Sequence, residues 1–289
     1  MNEEASIKNK NFQKVKPPFG YFGSKKNLSA RIINHLPPHE SWVELFAGSA
    51  SITFAKKQSL HETINDIDPD LTNVFTQIKN NSVELCRLIS LTPYASEELQ
   101  LSRITNINDS ELERARKFLV QSMMAVNGVF GQGKGGFSYT NSFSRQGREG
   151  RVNRWYNLPE RLANAAERLK NVKVENSDAL EIFDPVCSQT DTLVYVDPPY
   201  LGDRTNGYNI DANDHKFHER LVQQMLSARC MVFVSSYSND LYETNLTTKR
   251  GWRKKEIPTT TVDHRGVRHS RNEIIWMNKQ FTSNLAIND

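Results

Sequence analysis

Two periodicities of apolar and polar residues divide the chain. Short runs at 41–46, 62–66, 172–175, 193–196 and 231–236 are rich in β-branched and aromatic residues and read as strands. The run at 193–196 is apolar throughout, as a central parallel strand is. Longer stretches at 70–79, 158–169 and about 214–228 carry apolar residues three and four apart and read as helices, with a short helix starting from Asn239. Asp68, just before Pro69, is placed to cap the first of these. From 82 to 126 the pattern stays helical, through Leu85, Leu88 and Ile89, then Leu99 and Ile104, then Leu112, Ala115, Phe118 and Leu119, with no strand pattern between. An antiparallel pair at 252–261 and 273–278 closes the chain. The expectation is an α/β protein with a polar tail at 1–16, a sheet-bearing domain made of 17–79 and 158–289, and a small helical domain inserted at 80–157.

The candidate chemistry lies where strands end. Residues 41–55 read as strand, small-residue turn and helix, with Phe46, Ala47 and Gly48 in the turn, which is the plan of a nucleotide-binding unit. The dinucleotide fingerprint GxGxxG is absent, which leaves a different adenosine-bearing ligand. Asp66 ends the next strand 20 residues beyond Phe46 and can accept from both hydroxyls of a ribose. Asp178, after the strand at 172–175, can accept from an adenine amino group. Earlier, the loop from Pro18 to Lys26 alternates glycines with aromatics, including Tyr21, and Lys25 offers a point charge to a carboxylate or phosphate. The same loop composition also suits a plain turn.

The strand at 193–196 runs into Asp197-Pro198-Pro199-Tyr200. The prolines stiffen the turn and remove two backbone donors. What remains is lopsided: the Asp197 carboxylate and the Pro198 carbonyl only accept hydrogen bonds, and Tyr200 adds an aromatic face. Such a set suits a planar ring carrying an exocyclic NH2.

Charge sharpens this picture. The chain is +4 overall, but unevenly. Lys134, Arg145, Arg148, Arg151 and Arg154 stand against Glu149 alone in 127–155, and eight basic residues, Arg265 and Arg268 among them, stand against two acids in 249–271. The rest is net acidic, so two basic segments face outward from an acidic body, as in a phosphate-binding surface. The first includes a glycine-, aromatic- and amide-rich loop at 127–139 suited to wrapping duplex DNA. No apolar run reaches the ~18 residues of a membrane span and the start is polar, so a cytoplasmic protein is expected. Cys86, Cys187 and Cys230 are too few and too scattered for a disulfide framework or a zinc site. His215 and His218 have ligand spacing, but no third soft ligand stands near, so no metal is expected.

Taken in order, these motifs resemble the α-group, Dam-type DNA adenine N6-methyltransferases over nearly the whole chain, from Pro18 to Asn278. The resemblance implies a Rossmann-like methyltransferase sheet with a mostly helical target-recognition domain inserted. It implies S-adenosylmethionine as cofactor, with Tyr21 and Lys25 in the first cofactor motif and Lys25 near the methionine carboxylate. Phe46, Ala47 and Gly48 would form the turn under the cofactor, Asp66 would take its ribose, and Asp178 its adenine. Asp197, Pro198 and Tyr200 would form the catalytic motif acting on an adenine flipped out of double-stranded DNA. RNA and N4-cytosine are alternative acceptors for the same turn, and a non-catalytic nucleic-acid-binding module is a further alternative. A monomer, with a cognate restriction endonuclease as partner, completes the expectation. Two departures stand out: the turn reads Phe-Ala-Gly-Ser-Ala where many relatives have a second glycine, and the loop at 127–139 is unlike the best-studied members, so the resemblance implies no target sequence.

Overall fold

The computed structural model describes residues 15–21, 23–25, 28–126, 128, 135–139, 147–201, 214–262 and 268–285, with the side chains at 260–262 and 268–271 outside that description. The first half of the chain gives α1 (Ser29–Ile33), β1 (Ser41–Glu44), α2 (Ser51–Ala55), β2 (His61–Asn65) and α3 (Pro69–Asn80). The helical stretch follows as α4 (Ser82–Leu91), α5 (Ser96–Ser102), α6 (Glu111–Met124), α7 (Gly150–Tyr156) and α8 (Leu158–Leu169). The chain then returns to the sheet with β3 (Val172–Glu175), α9 (Ala179–Val186), β4 (Thr192–Val196), α10 (His215–Ser227) and β5 (Met231–Ser236). Last come α11 (Asp240–Asn245), β6 (Arg253–Val262), β7 (Arg268–Met277) and α12 (Lys279–Leu285). Asp68 caps α3 as its position before Pro69 predicts, with Oδ1 accepting from Asp70 N at 3.0 Å.

The described strands form one seven-stranded sheet in the order β3-β2-β1-β4-β5-β7-β6. The pairs among β1 to β5 are parallel, and β7 runs antiparallel to both β5 and β6. The strand order reverses between β1 and β4, the switch point at which open α/β sheets bind ligands beyond their carboxyl ends. Register then fixes who meets there. Glu44 pairs with both Ile64 and Tyr195, so the turns after β1, β2 and β4 leave the sheet at one level.

Period-two alternation sorts the strand side chains into two layers. Val43, Val194, Val196, Val232, Val234 and Trp276 pack with residues of α9, α10 and α11 on one face. Trp42, Leu193, Tyr195, Met231, Phe233 and Ile275 pack on the other with residues of α1 and α12. The helical stretch buries its apolar stripe against α3 and α8, so Leu85, Ile89, Phe118, Leu119 and Trp155 belong to one continuous core with Leu71, Phe75 and Leu162. Beside that core lies a buried charge network: Glu62 on β2 accepts from Lys56 at 2.6 Å and from Arg168 Nη2 at 3.0 Å. Burial works against the Glu62 charge, but the Arg168 hydrogen bonds and the Lys56 ammonium outweigh it and hold the carboxyl below its usual range.

Candidate active site

The turn after β1 needs unusual backbone. Gly48 has φ +50°, and a Cβ added there would lie 3.1 Å from the Tyr21 ring, so glycine serves both the left-handed conformation and the close approach. Ala50, at the place of the second glycine of many relatives, also sits at φ 51° and is fully buried. The turn is tied to the next strand end by Asp66, whose Oδ2 accepts from Gly48 N at 2.9 Å and whose Oδ1 accepts from Asp68 N at 3.1 Å. Burial pushes the Asp66 carboxyl up to about 6, against the opposing pull of those N–H groups. A carboxylate has about four lone-pair sites, so both oxygens keep capacity for further donors.

Asp178 ends β3 and caps α9, its Oδ1 accepting from Leu180 N at 2.9 Å. Its segment is joined to the Asp66 turn, since Asn176 Nδ2 donates to the Asp66 carbonyl at 2.9 Å. Tyr21 is half-buried, with its ring against Gly48. The neighbouring Phe19 does not face a ligand: it is 3% exposed and packs between Phe75 and Phe118, with ring centroids 5.5 Å from each. Ser24, Ser49 and Ser51 bring three hydroxyls together at 2.6 to 2.9 Å. With Lys25, Glu44, Phe46, Ala47, Gly48 and Asp197 they line a crevice of about 330 Å³, mouth included.

At the other wall stands the acceptor turn. Asp197 Oδ1 accepts from Ser235 Oγ at 2.9 Å and from the Tyr200 hydroxyl at 3.2 Å, and Lys25 Nζ lies 2.9 Å from it. Every one of these contacts is made to the same oxygen. Among the described residues none bonds Oδ2, and no described backbone N–H bonds the Pro198 carbonyl. Tyr200 also donates to Glu273 on β7, and the Lys25 ammonium lies 4.9 Å above the Tyr200 ring. Burial first, then the adjacent Asp197 and Glu273 charges, raise the Tyr200 phenol well above its ordinary value, so it remains a neutral donor.

Of the expected site residues, Lys25, Phe46, Ala47, Gly48 and Asp197 line the crevice, Tyr21 and Asp66 contact Gly48, Tyr200 contacts Asp197, Pro198 follows Asp197 in sequence, and Asp178 follows β3 as the cap of α9. The Lys25 ammonium bridges Asp197 and Glu273, 3.4 Å from the latter. Glu273, Ser235 and Glu44 are site residues that sequence reasoning passed over. Glu44 had a visible signal, being a charged residue within the apolar run 42–46.

The basic candidates divide by location. Arg148 places its guanidinium 3.9 Å from the centre of the exposed Tyr156 ring, and Arg151 and Arg154 lie on α7. Glu149 caps that helix through Arg151 N and Val152 N, both at 2.8 Å. Lys134, Arg145 and Arg265 lie outside the described residues, as does the side chain of Arg268. His218 is buried against the Tyr242 hydroxyl at 2.8 Å, whereas the exposed His215 pairs with Glu219. Among the described residues no helix is long and apolar enough to cross a membrane.

A crevice at the switch point of the sheet, an acid after β2 and an acceptor turn after β4 follow the plan of a ligand-binding open α/β sheet. The model of the D12 class N6 adenine-specific DNA methyltransferases matches residues 21–257, and the chain belongs to that family. It is therefore a methyltransferase of DNA adenine, with the S-adenosylmethionine-dependent chemistry of its class. No curated protein matches. Among solved structures, the chain overlaps a precorrin 8w decarboxylase of Methanobacterium thermoautotrophicum at 9% identity, covering 91% of this chain and 94% of that one, with a TM-score of 0.36. A precorrin-6y C5,15-methyltransferase of Geobacter metallireducens overlaps at 8% identity, covering 92% and 97%, with a TM-score of 0.37. Overlap this loose speaks to neither substrate nor reaction.

Proposed function

We propose that the protein transfers the methyl group of S-adenosylmethionine to N6 of a specific adenine flipped out of duplex DNA. The observation that carries this reading is the Asp197 carboxylate, anchored through Oδ1 by Lys25, Ser235 and Tyr200, with Oδ2 and the Pro198 carbonyl left to accept. The amino lone pair of adenine is delocalised into the ring, so the site must localise it. N6 hydrogens donated to Asp197 and to the Pro198 carbonyl would be drawn out of the ring plane, localising the lone pair on N6, and Tyr200 would support the base by stacking.

The crevice has the donor and acceptor set for the cofactor. Asp66 would take the ribose hydroxyls, Asp178 the adenine amino group, and Tyr21 with Phe46 to Gly48 the walls. The hydroxyls of Ser24, Ser49 and Ser51 offer donors for a carboxylate, a task expected of Lys25. When bound, the cofactor supplies an activated methyl group. The chain's own contribution is to place the amino group, exclude water and hold the charges still.

The stretch 80–157 would read the target, with Arg148, Arg151 and Arg154 on phosphates or base edges, joined by Lys134, Arg145, Arg265 and Arg268. Methyl-tritiated cofactor incubated with duplex DNA, single-stranded DNA and RNA, followed by mass spectrometry of the digested product, tests the whole reading. N6-methyladenine from the duplex is the expected product. N4-methylcytosine, or transfer to RNA alone, would overturn it.

A further inference from the structure

Glu273 has no task in the transfer as just described, yet it is 4% exposed beside the acceptor turn. It shares two groups with Asp197: Lys25 Nζ lies 2.9 Å from Asp197 Oδ1 and 3.4 Å from Glu273 Oε1, and the Tyr200 hydroxyl contacts both carboxylates. Among the described residues one ammonium stands between these two carboxylates, an excess of one negative charge. Glu44, a buried acid of the crevice, is pushed up to about 8 by burial, towards its neutral form. Burial, opposed by the Lys25 ammonium and reinforced by the Asp197 charge, leaves the Glu273 carboxyl above its usual range. An uncompensated buried carboxylate is costly, so it calls for a cation.

The methyl donor brings one. Its sulfur is a sulfonium before transfer and a neutral thioether afterwards. On the S-adenosylmethionine reading given above, we propose that Glu273 is a specificity residue whose charge makes the crevice prefer the sulfonium donor over its thioether product. It touches neither ligand in this scheme. It acts through Lys25, by sharing the ammonium that would otherwise belong to Asp197 alone and repel the sulfonium at full strength.

Titration calorimetry on the full chain separates this role from a structural one. The three ligands are S-adenosylmethionine, S-adenosylhomocysteine, and sinefungin, in which an amine cation replaces the sulfonium and no methyl can move. Glu273→Gln is expected to lower the affinity for the two cations about tenfold and to leave that for the thioether within about twofold. Equal losses for all three ligands, or no loss for the cations, would overturn the assignment. Glu273→Asp keeps the charge on a shorter arm and must keep the preference, so its loss there counts equally against the assignment, even if Glu273→Gln does not fold. Failure of the unmutated protein to bind any of the three would instead overturn the cofactor reading, and the charge assignment with it.

Discussion

The hydroxyl of Tyr200 donates to the carboxylate of Glu273, 73 residues further along the chain. A phenol has one proton to give, so the Tyr200 hydroxyl, which also lies 3.2 Å from Asp197 Oδ1, serves one of the two carboxylates at a time. The acceptor turn is thereby held from β7, on the antiparallel side of the sheet, as well as from its own strand.

Asp197→Ala removes the proposed acceptor of the N6 hydrogen. Methyl transfer should fall at least 10²- to 10³-fold, the scale of losing one preorganised polar group at a reacting centre. Cofactor binding should stay measurable by calorimetry. Substantial residual transfer in single-turnover assays would remove Asp197 from the mechanism.

Gly48→Ala asks an L-residue to hold φ +50° with its Cβ 3.1 Å from the Tyr21 ring. Stability should drop by about 1–2 kcal/mol from the backbone alone. Displacement of Tyr21 should weaken cofactor binding as well. Urea unfolding and calorimetry on the same preparation check both.

The Asp66 carboxyl, pushed up to about 6 by burial, gives a pH dependence with a definite sign. Its folded value exceeds the unfolded one of about 3.9, so the folded state holds the proton longer. Stability from this group is unaffected below about pH 4, declines as the pH rises towards 6, and then levels. Cofactor affinity should run the other way, rising through pH 6 as the ribose acceptor ionises. Unfolding and binding measured across this range should show opposite slopes, and Asp66→Asn should flatten both.

Arg148 and Arg151 should contribute to DNA affinity without choosing the sequence if they meet phosphates. Each alanine substitution should then reduce the slope of log affinity against log salt by about 1, equally for target and non-target duplexes. Fluorescence anisotropy on labelled duplexes reads this directly. A loss confined to the target duplex would assign the residue to base edges instead.

Much of the sheet was legible because its signals are local. Runs such as Met231–Ser236 and Val172–Glu175 are strands over the span their β-branched residues predict, and Asn239 and Asp68 cap the helices they precede. The rim position of Asp197 follows from the same locality. Glu273 and the actual partners of Lys25 were not legible, since the pairing depends on how β7 docks beside β5 rather than on any neighbour in sequence. The loop from Pro18 to Lys26 was ambiguous for a related reason: its glycine-aromatic spacing suits a ligand clasp or a plain turn, and only the fold makes its first ring, Phe19, a core residue.

That placement of Phe19 reaches beyond packing. The ring sits between Phe75 of α3 and Phe118 of α6, and Ser122 of α6 donates to the Gly20 carbonyl at 2.9 Å. The loop carrying Tyr21 and Lys25 is therefore fastened to the helical stretch proposed to face DNA, and not to the sheet alone. A duplex that shifts α6 on docking would carry the cofactor loop with it, and a bound cofactor would resist or favour the same shift. By reciprocity each ligand would then change the affinity of the other by the same factor, so the contacts that pack the loop against α6 would also couple the two proposed sites.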